Sequence, residues 1–255
     1  MLGPGDVHVW CARLDGSDPA PARRLLVADE QARADAFYLE RDRHRFIHAR
    51  ATLRRLLGRY LGIHPAAVRF HYGPSGKPAL DGPADRSHLQ FNLSHCGPLS
   101  LIALSARRAV GVDLEQVREL PDIALLESRI FSQGELNRQQ SRPEEERRLE
   151  FFLRWTQREA AGKARGVGLD LDAPSTEGLA SPDASSPGNS GAPSLSFIRP
   201  ADPDEGYVGC VAIEGTPSGF SVFQWSDRRL DFPMVPSVPP APQLAWASNP
   251  ITSPC

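Results

Sequence analysis

The 255-residue sequence predicts an α+β fold built as two halves of similar plan. Three observations carry this expectation. Short segments rich in branched and aromatic residues are separated by longer stretches with helical spacing. The order strand, helices, strands occurs twice along the chain. Two segments, LSLIALSARR (99–108) and GYVGCVAIEG (206–215), read as equivalent hairpin strands, one in each half, although their similarity is too slight to define a repeat. The halves are placed at 1–108 and 109–226.

In the first half, VHVWCARL (7–14) is the opening strand. Asp29 is the expected N-cap of a helix over 29–39, and a strongly basic helix is expected over 42–61, with Leu53, Leu56, Leu57, Tyr60 and Leu61 as its apolar positions and Gly62 as its stop. Strands follow at 68–72, 89–94 and 99–104, with turn residues Gly73–Gly76 after the first. The second half opens on a strand at 109–117 and a helical region over 123–140. A further helix begins at Ser141 or Pro143, carries Glu144, Glu145 and Glu146 at the positive end of its dipole, and ends near Gly166 and Gly168. Strands at 195–198, 207–213 and 220–225 close the fold. The Ser-, Pro-, Gly- and Ala-rich stretch 172–193 reads as a disordered insertion, and 227–255 as a Pro-rich tail.

Composition narrows the function classes. The net charge of −2 gives no footprint of a nucleic-acid or polybasic membrane binder. Cys11, Cys96, Cys210 and Cys255 form no CxxC pair and show no metal-ligand spacing, which argues against zinc and a redox motif. The chain opens on a polar strand candidate instead of an apolar signal segment, and no apolar run is long enough to span a bilayer, so a cytoplasmic protein is expected; a monomer is expected as well. The 29 basic residues comprise 27 Arg and two Lys. Lys77 and Lys163 therefore stand out, because a compact ammonium does what a guanidinium does not.

Four constellations could carry chemistry. In the strand segment Val112-Asp113-Leu114-Glu115, alternation turns Val110, Val112 and Leu114 to the core and Gly111, Asp113 and Glu115 to the other face. Two adjacent carboxylates beside a glycine suit a hard cation, although a solvated acidic face would read the same way. In WTQREAAGKARGVGL (155–169), Phe152, Trp155, Glu159 and Lys163 share one helical stripe beside the inward stripe of Leu149, Leu153, Ala160 and Ala164; an ordinary surface ion pair between Glu159 and Lys163 is the plainer alternative. Asn92-Leu93-Ser94-His95 puts an imidazole at a strand end, in reach of a phosphate, and Gly76-Lys77-Pro78 puts an ammonium in a turn. A structural histidine and a plain surface turn are the alternatives for these two.

In this order and spacing, GKP (76–78), FNLSH (91–95), GVDLE (111–115) and WTxREAxxKAxGxGL (155–169) resemble the signature set of the surfactin-type 4′-phosphopantetheinyl transferases. The resemblance spans about 33–169, with weaker agreement to about 225. It implies two α/β halves related by a pseudo-twofold axis with the ligand cleft between them. It also implies transfer of phosphopantetheine from coenzyme A to a serine of an apo acyl or peptidyl carrier protein, with Mg²⁺ as cofactor and adenosine 3′,5′-bisphosphate released. By resemblance Asp113, Glu115 and Glu159 are metal ligands; Glu159 and Lys163 are catalytic; Arg33, Lys77, Asn92, Ser94, His95 and Lys163 form the coenzyme A pocket. The helical region 123–136 is implied as a contact for the carrier. Cys96 stands where the family commonly has Ser, Arg158 where Lys is usual, and neither the insertion nor the tail has a counterpart. A non-catalytic coenzyme A- or carrier-binding homologue is the competing expectation.

Overall fold

A computed structural model describes residues 2–15, 18–82, 88–121, 123–167, 206–226 and the backbone of 194–198. The expected insertion at 172–193, the tail at 227–255, Gly168, Leu169 and Cys255 lie outside the described residues. In chain order the elements are β1 (Asp6–Arg13), α1 (Pro19–Arg23), α2 (Ala28–Asp35), α3 (Glu40–Leu61), a 3₁₀ turn (Pro65–Ala67), β2 (Phe70–Tyr72), β3 (Pro78–Leu80), β4 (Leu89–Cys96), β5 (Leu99–Ala106), β6 (Val110–Gln116), α4 (Ile123–Ile130), α5 (Gln133–Gln139), α6 (Glu144–Arg165), β7 (Ser194–Ile198), β8 (Tyr207–Ile213) and β9 (Gly219–Gln224).

Two main sheets form, with strand orders β4-β5-β1-β9 and β6-β8-β7, beside a small β2-β3 hairpin. The segments read as equivalent, β5 and β8, are each an inner strand of their sheet. Strand alternation decides the layering. Val7, Val9 and Cys11 of β1 and Leu99, Leu101 and Ala103 of β5 pack against Val110, Val112 and Leu114 of β6 and Val211 and Ile213 of β8. The opposite face of the first sheet, with Trp10, Ile102 and Leu104, is covered by Leu53, Leu56 and Leu57 of α3. The opposite face of the second sheet, with Cys210 and Ala212, receives Ala160, Ala161 and Ala164 of α6. The result is a four-layer stack: helix α3, sheet, sheet, helix α6. The first sheet takes its edge strand from the far end of the described chain, since β9 pairs in parallel with β1, Asp6 opposite Gly219.

Helix ends follow local chemistry, with two departures from expectation. α2 begins at Ala28 behind Val27, and Glu30, not Asp29, satisfies the freed backbone: the Val27 N–H donates to Glu30 Oε2 at 3.2 Å. The helix stops at Asp35, short of residue 39. The region 123–140 is two helices, because Ser132 and Glu135 form a capping box that starts α5 anew; the Ser132 N–H donates to Glu135 Oε2 at 2.9 Å. α3 and α6 both end on a left-handed glycine, Gly62 at φ 66° and Gly166 at φ 72°. β3 and α1 were not foreseen.

Candidate active site between β6 and α6

β6 carries Val110, Val112 and Leu114 into the inter-sheet core and turns Gly111, Asp113 and Glu115 towards α6. Strand and helix come into backbone contact at Gly111. A Cβ there would lie 2.0 Å from the Ala160 carbonyl oxygen and 2.4 Å from the Ala164 nitrogen. Glycine is what allows this approach. It brings the carboxylates of β6 to the stripe on α6 that carries Glu159 and Lys163.

Lys163 meets both Asp113 and Glu159, and Glu115 lies near enough to feel the charge of all three. The Lys163 ammonium donates to Asp113 Oδ1 at 2.6 Å and stands 4.0 Å from Glu159 Oε2. The Ser94 hydroxyl of β4 donates to the same Asp113 oxygen at 2.9 Å and lies 3.4 Å from the Lys163 ammonium. Asp113 is buried, and its Oδ2 has no hydrogen-bond partner. Glu115 is half-buried; burial first, then the Asp113 charge, raises its pKa, with Glu159 adding to the effect. Burial also raises the pKa of Glu159, where the Asp113 charge adds to it and Lys163 opposes it. The three carboxylates thus crowd negative charge into a partly dry place. Even so, among the described residues no three Asp, Glu, His or Cys side chains are drawn into a ready-made ion cage. Cys96 Sγ lies 3.9 Å from Glu115 Oε2, and burial raises its pKa.

Two predicted pocket residues turn to the backbone. β6 is an edge strand, and its outward backbone groups need partners. Asn92 Oδ1 accepts from the Val112 N–H at 2.8 Å. The Lys77 ammonium donates to the carbonyls of Val110 and Lys163, at 3.1 and 2.5 Å. Through Asn92, Ser94 and Lys77 the first half covers the edge of the second sheet.

His95 has its pKa lowered by the protein crowded around its ring, then by the charges of Lys163, Arg45 and Arg33. Arg33 is exposed on α2, its guanidinium 5.5 Å from the Phe46 ring centroid. With Asp29, Glu30, Phe46, Arg50 and Tyr72 it lines a cavity of 210 Å³. Sequence reasoning missed Arg50 and Glu30 here. Glu30 is 3% exposed and is gripped by Arg50 (Nε–Oε1 2.9 Å) and by Arg54 (Nε–Oε2 2.6 Å). The available signal was Arg50 and Arg54, four apart within the apolar stretch of α3. Arg158, where Lys is usual, donates to the Arg129 carbonyl at 3.1 Å.

Comparisons with known proteins give the family. Residues 17–107 match the family model for the N-terminal part of 4′-phosphopantetheinyl transferases, and residues 109–205 match that of the 4′-phosphopantetheinyl transferase superfamily. The chain is 40% identical over 166 residues to the 4′-phosphopantetheinyl transferase HetI of Nostoc sp., covering 64% of this chain and 70% of that protein. It is 27% identical over 189 residues to a 4′-phosphopantetheinyl transferase of Bacillus subtilis, covering 71% and 78% respectively. It is 29% identical over 177 residues to the L-aminoadipate-semialdehyde dehydrogenase-phosphopantetheinyl transferase of Xenopus laevis, covering 64% and 56%. This chain belongs to the 4′-phosphopantetheinyl transferase superfamily, and it is an enzyme of the transferase class. No helix among the described residues is long and apolar enough to cross a membrane.

Proposed function

We propose that the protein is a surfactin-type member of its family. It moves the 4′-phosphopantetheine group of coenzyme A to a serine of an apo acyl or peptidyl carrier protein, with Mg²⁺ and with release of adenosine 3′,5′-bisphosphate. The observation that carries this reading is the cluster in which Ser94, Asp113 and Lys163 share one oxygen, with Glu115 and Glu159 beside it. The donor types suit a magnesium ion, although the three carboxylates are not gathered around one point. They are hard carboxylate oxygens, and Asp113 Oδ2 is a buried acceptor still wanting a partner. Asp113, Glu115 and Glu159 would hold the ion. When bound, it would screen the pyrophosphate and the charge that grows on the leaving bisphosphate.

The chain's own residues supply the rest. The carrier serine oxygen attacks the phosphorus attached to the pantetheine oxygen, and the bond from that phosphorus to the bridging pyrophosphate oxygen breaks. The serine proton passes to Glu159, the carboxylate beside Lys163 on the same helical stripe. The electron pair leaves with adenosine 3′,5′-bisphosphate, whose developing charge the Lys163 ammonium meets. Arg33 and His95 would meet the remaining phosphates of coenzyme A, which need cations and donors; His95 already feels the charges of Lys163 and Arg33. Positioning and electrostatics do most of the catalytic work in phosphoryl transfers of this kind. In the proposed pseudo-twofold arrangement, α3 on its sheet corresponds to α6 on its own, and the cleft lies where β4 meets β6. The helical region 123–136 is proposed to contact the carrier.

The test is direct. The full chain is incubated with coenzyme A, Mg²⁺ and an apo carrier protein, and the carrier is weighed. A gain of about 340 Da, one phosphopantetheine group, is expected. An unmodified carrier across fatty-acid, polyketide and peptide-synthase carriers refutes the reading.

A further inference from the structure

The resemblance puts Lys77 in the coenzyme A pocket, but its ammonium reaches two backbone carbonyls on two different elements. We infer that Lys77 is a positioning residue: it clamps β6 against the last turn of α6 and so holds Asp113 and Lys163 in contact. This inference rests on the functional reading above, which makes that contact part of the reaction centre.

Three features support the clamp. First, both acceptors flank the closest strand–helix approach. Val110 precedes Gly111, and the Lys163 carbonyl belongs to the helical turn that Gly111 touches. Second, both carbonyls want a donor. Val110 lies on an edge strand, and Lys163 is in the final turn of α6, where carbonyls lack intrahelical partners and a cation suits the negative end of the dipole. The neighbouring cap is weak, with the Gly166 N–H 3.3 Å from the Lys163 oxygen.

Third, the loop that delivers Lys77 is itself fixed. The Gly73 N–H donates to the Lys77 carbonyl at 3.0 Å, and the Gly76 N–H to the Gly73 carbonyl at 2.9 Å, with Gly76 at φ 76°, a conformation glycine adopts without strain. The Ser75 hydroxyl of this loop donates to the Gly166 carbonyl at 2.9 Å, gripping the end of the same helix. Burial lowers the Lys77 pKa, as expected for an ammonium held by carbonyls and no carboxylate. Composition agrees as well: in a chain with 27 Arg and two Lys, the gap between strand and helix holds a compact point donor, a role the planar guanidinium fills poorly.

The experiment compares wild type with Lys77→Met and Lys77→Arg in the full chain. Steady-state transfer, direct binding of adenosine 3′,5′-bisphosphate and amide exchange at residues 110–113 and 160–166 are measured. The clamp predicts that Lys77→Met lowers kcat about tenfold or more while the KM for coenzyme A and the affinity for the bisphosphate stay within about threefold. It also predicts faster exchange in both segments. Lys77→Arg is expected between wild type and Lys77→Met, and it carries the test if the methionine variant does not fold. A loss of bisphosphate affinity of about tenfold with kcat and exchange unchanged makes Lys77 a phosphate ligand and overturns the inference. Amine acylation with peptide mapping gives an independent arm on the wild type. Lys77 should label slowly with or without coenzyme A, whereas fast labelling that coenzyme A suppresses contradicts the clamp. Amide exchange and labelling report on the clamp even if wild type transfers nothing, an outcome that would refute the proposed function alone.

Discussion

The Asp113 carboxylate and the Lys163 ammonium meet at 2.6 Å across the seam between β6 and α6, fifty residues apart in the chain. The contact neutralises one oxygen of a buried carboxylate and leaves the other without a partner. Under the proposed function, Asp113→Ala and Glu159→Ala each lower transfer by at least about a hundredfold at saturating Mg²⁺. Glu115→Ala should cost less, about tenfold, because water can replace one oxygen ligand of magnesium. Carrier mass gain over time measures all three, and near wild-type turnover of either of the first two would remove the metal assignment.

Gly111→Ala tests the seam itself. The added methyl meets helix backbone, not a flexible side-chain end, so strand or helix must shift. A loss of about 1–3 kcal/mol or more in urea unfolding is expected, with activity falling further than stability because the site straddles the contact. A variant as stable and active as wild type would show that strand and helix sit farther apart.

Glu30→Ala strips the shared partner from Arg50 and Arg54, which are 8% and 1% exposed. Breaking a buried ion cluster from one side leaves uncompensated charge and costs about 3–5 kcal/mol. The unfolding midpoint measures it. Arg54 also donates to the carbonyls of Pro65 and Val68, so the link from α3 to β2 should loosen in the same variant.

Much of this arrangement was legible in the sequence, for identifiable reasons. The faces of β6 follow from a period of two, and the limits of α6 from three glutamates at one end and Gly166 at the other. That β6 and α6 share one site followed from the motif resemblance, whereas the direct contact of Asp113 with Lys163 was not foreseen. The role of Glu30 was not legible, because its partners lie twenty and twenty-four residues away on another helix. Lys77 stood out in the sequence, but its partners did not, because backbone carbonyls have no residue signature. β3 is three residues long and opens on a proline, and α1 is a single short turn, so neither offers a period to detect.

Stability should fall on both sides of neutrality through one aromatic cluster. His8 Nδ1 lies 2.6 Å from the Tyr60 hydroxyl, which also accepts from Trp10 Nε1 at 3.1 Å. Burial lowers the His8 pKa from 6.5, so below pH 6.5 the unfolded chain takes up a proton that the folded one resists, and stability drops as pH falls. Burial pushes Tyr60 up to about 12 from 10.0, so between those values the unfolded chain ionises first and stability drops as pH rises. Denaturation midpoints from about pH 5.5 to about pH 11 should show both slopes. His8→Gln should flatten the acid limb, and an unchanged limb would assign it elsewhere, with His95 the next group of the same sign.

The parallel pairing of β9 with β1 joins residues near position 6 to residues near position 219. On the ribosome β1 can pair with β5 once Ala106 is out, yet the other edge of β1 stays open until β9, more than a hundred residues later, has been made. Closing so long a loop is slow relative to local pairing, so the latch is among the last contacts to form. Until then β1 offers a bare row of backbone donors and acceptors to any passing strand. A chain that stalls before Gly219 is therefore a sticky one, and growth conditions that slow synthesis will show it first as loss of soluble protein.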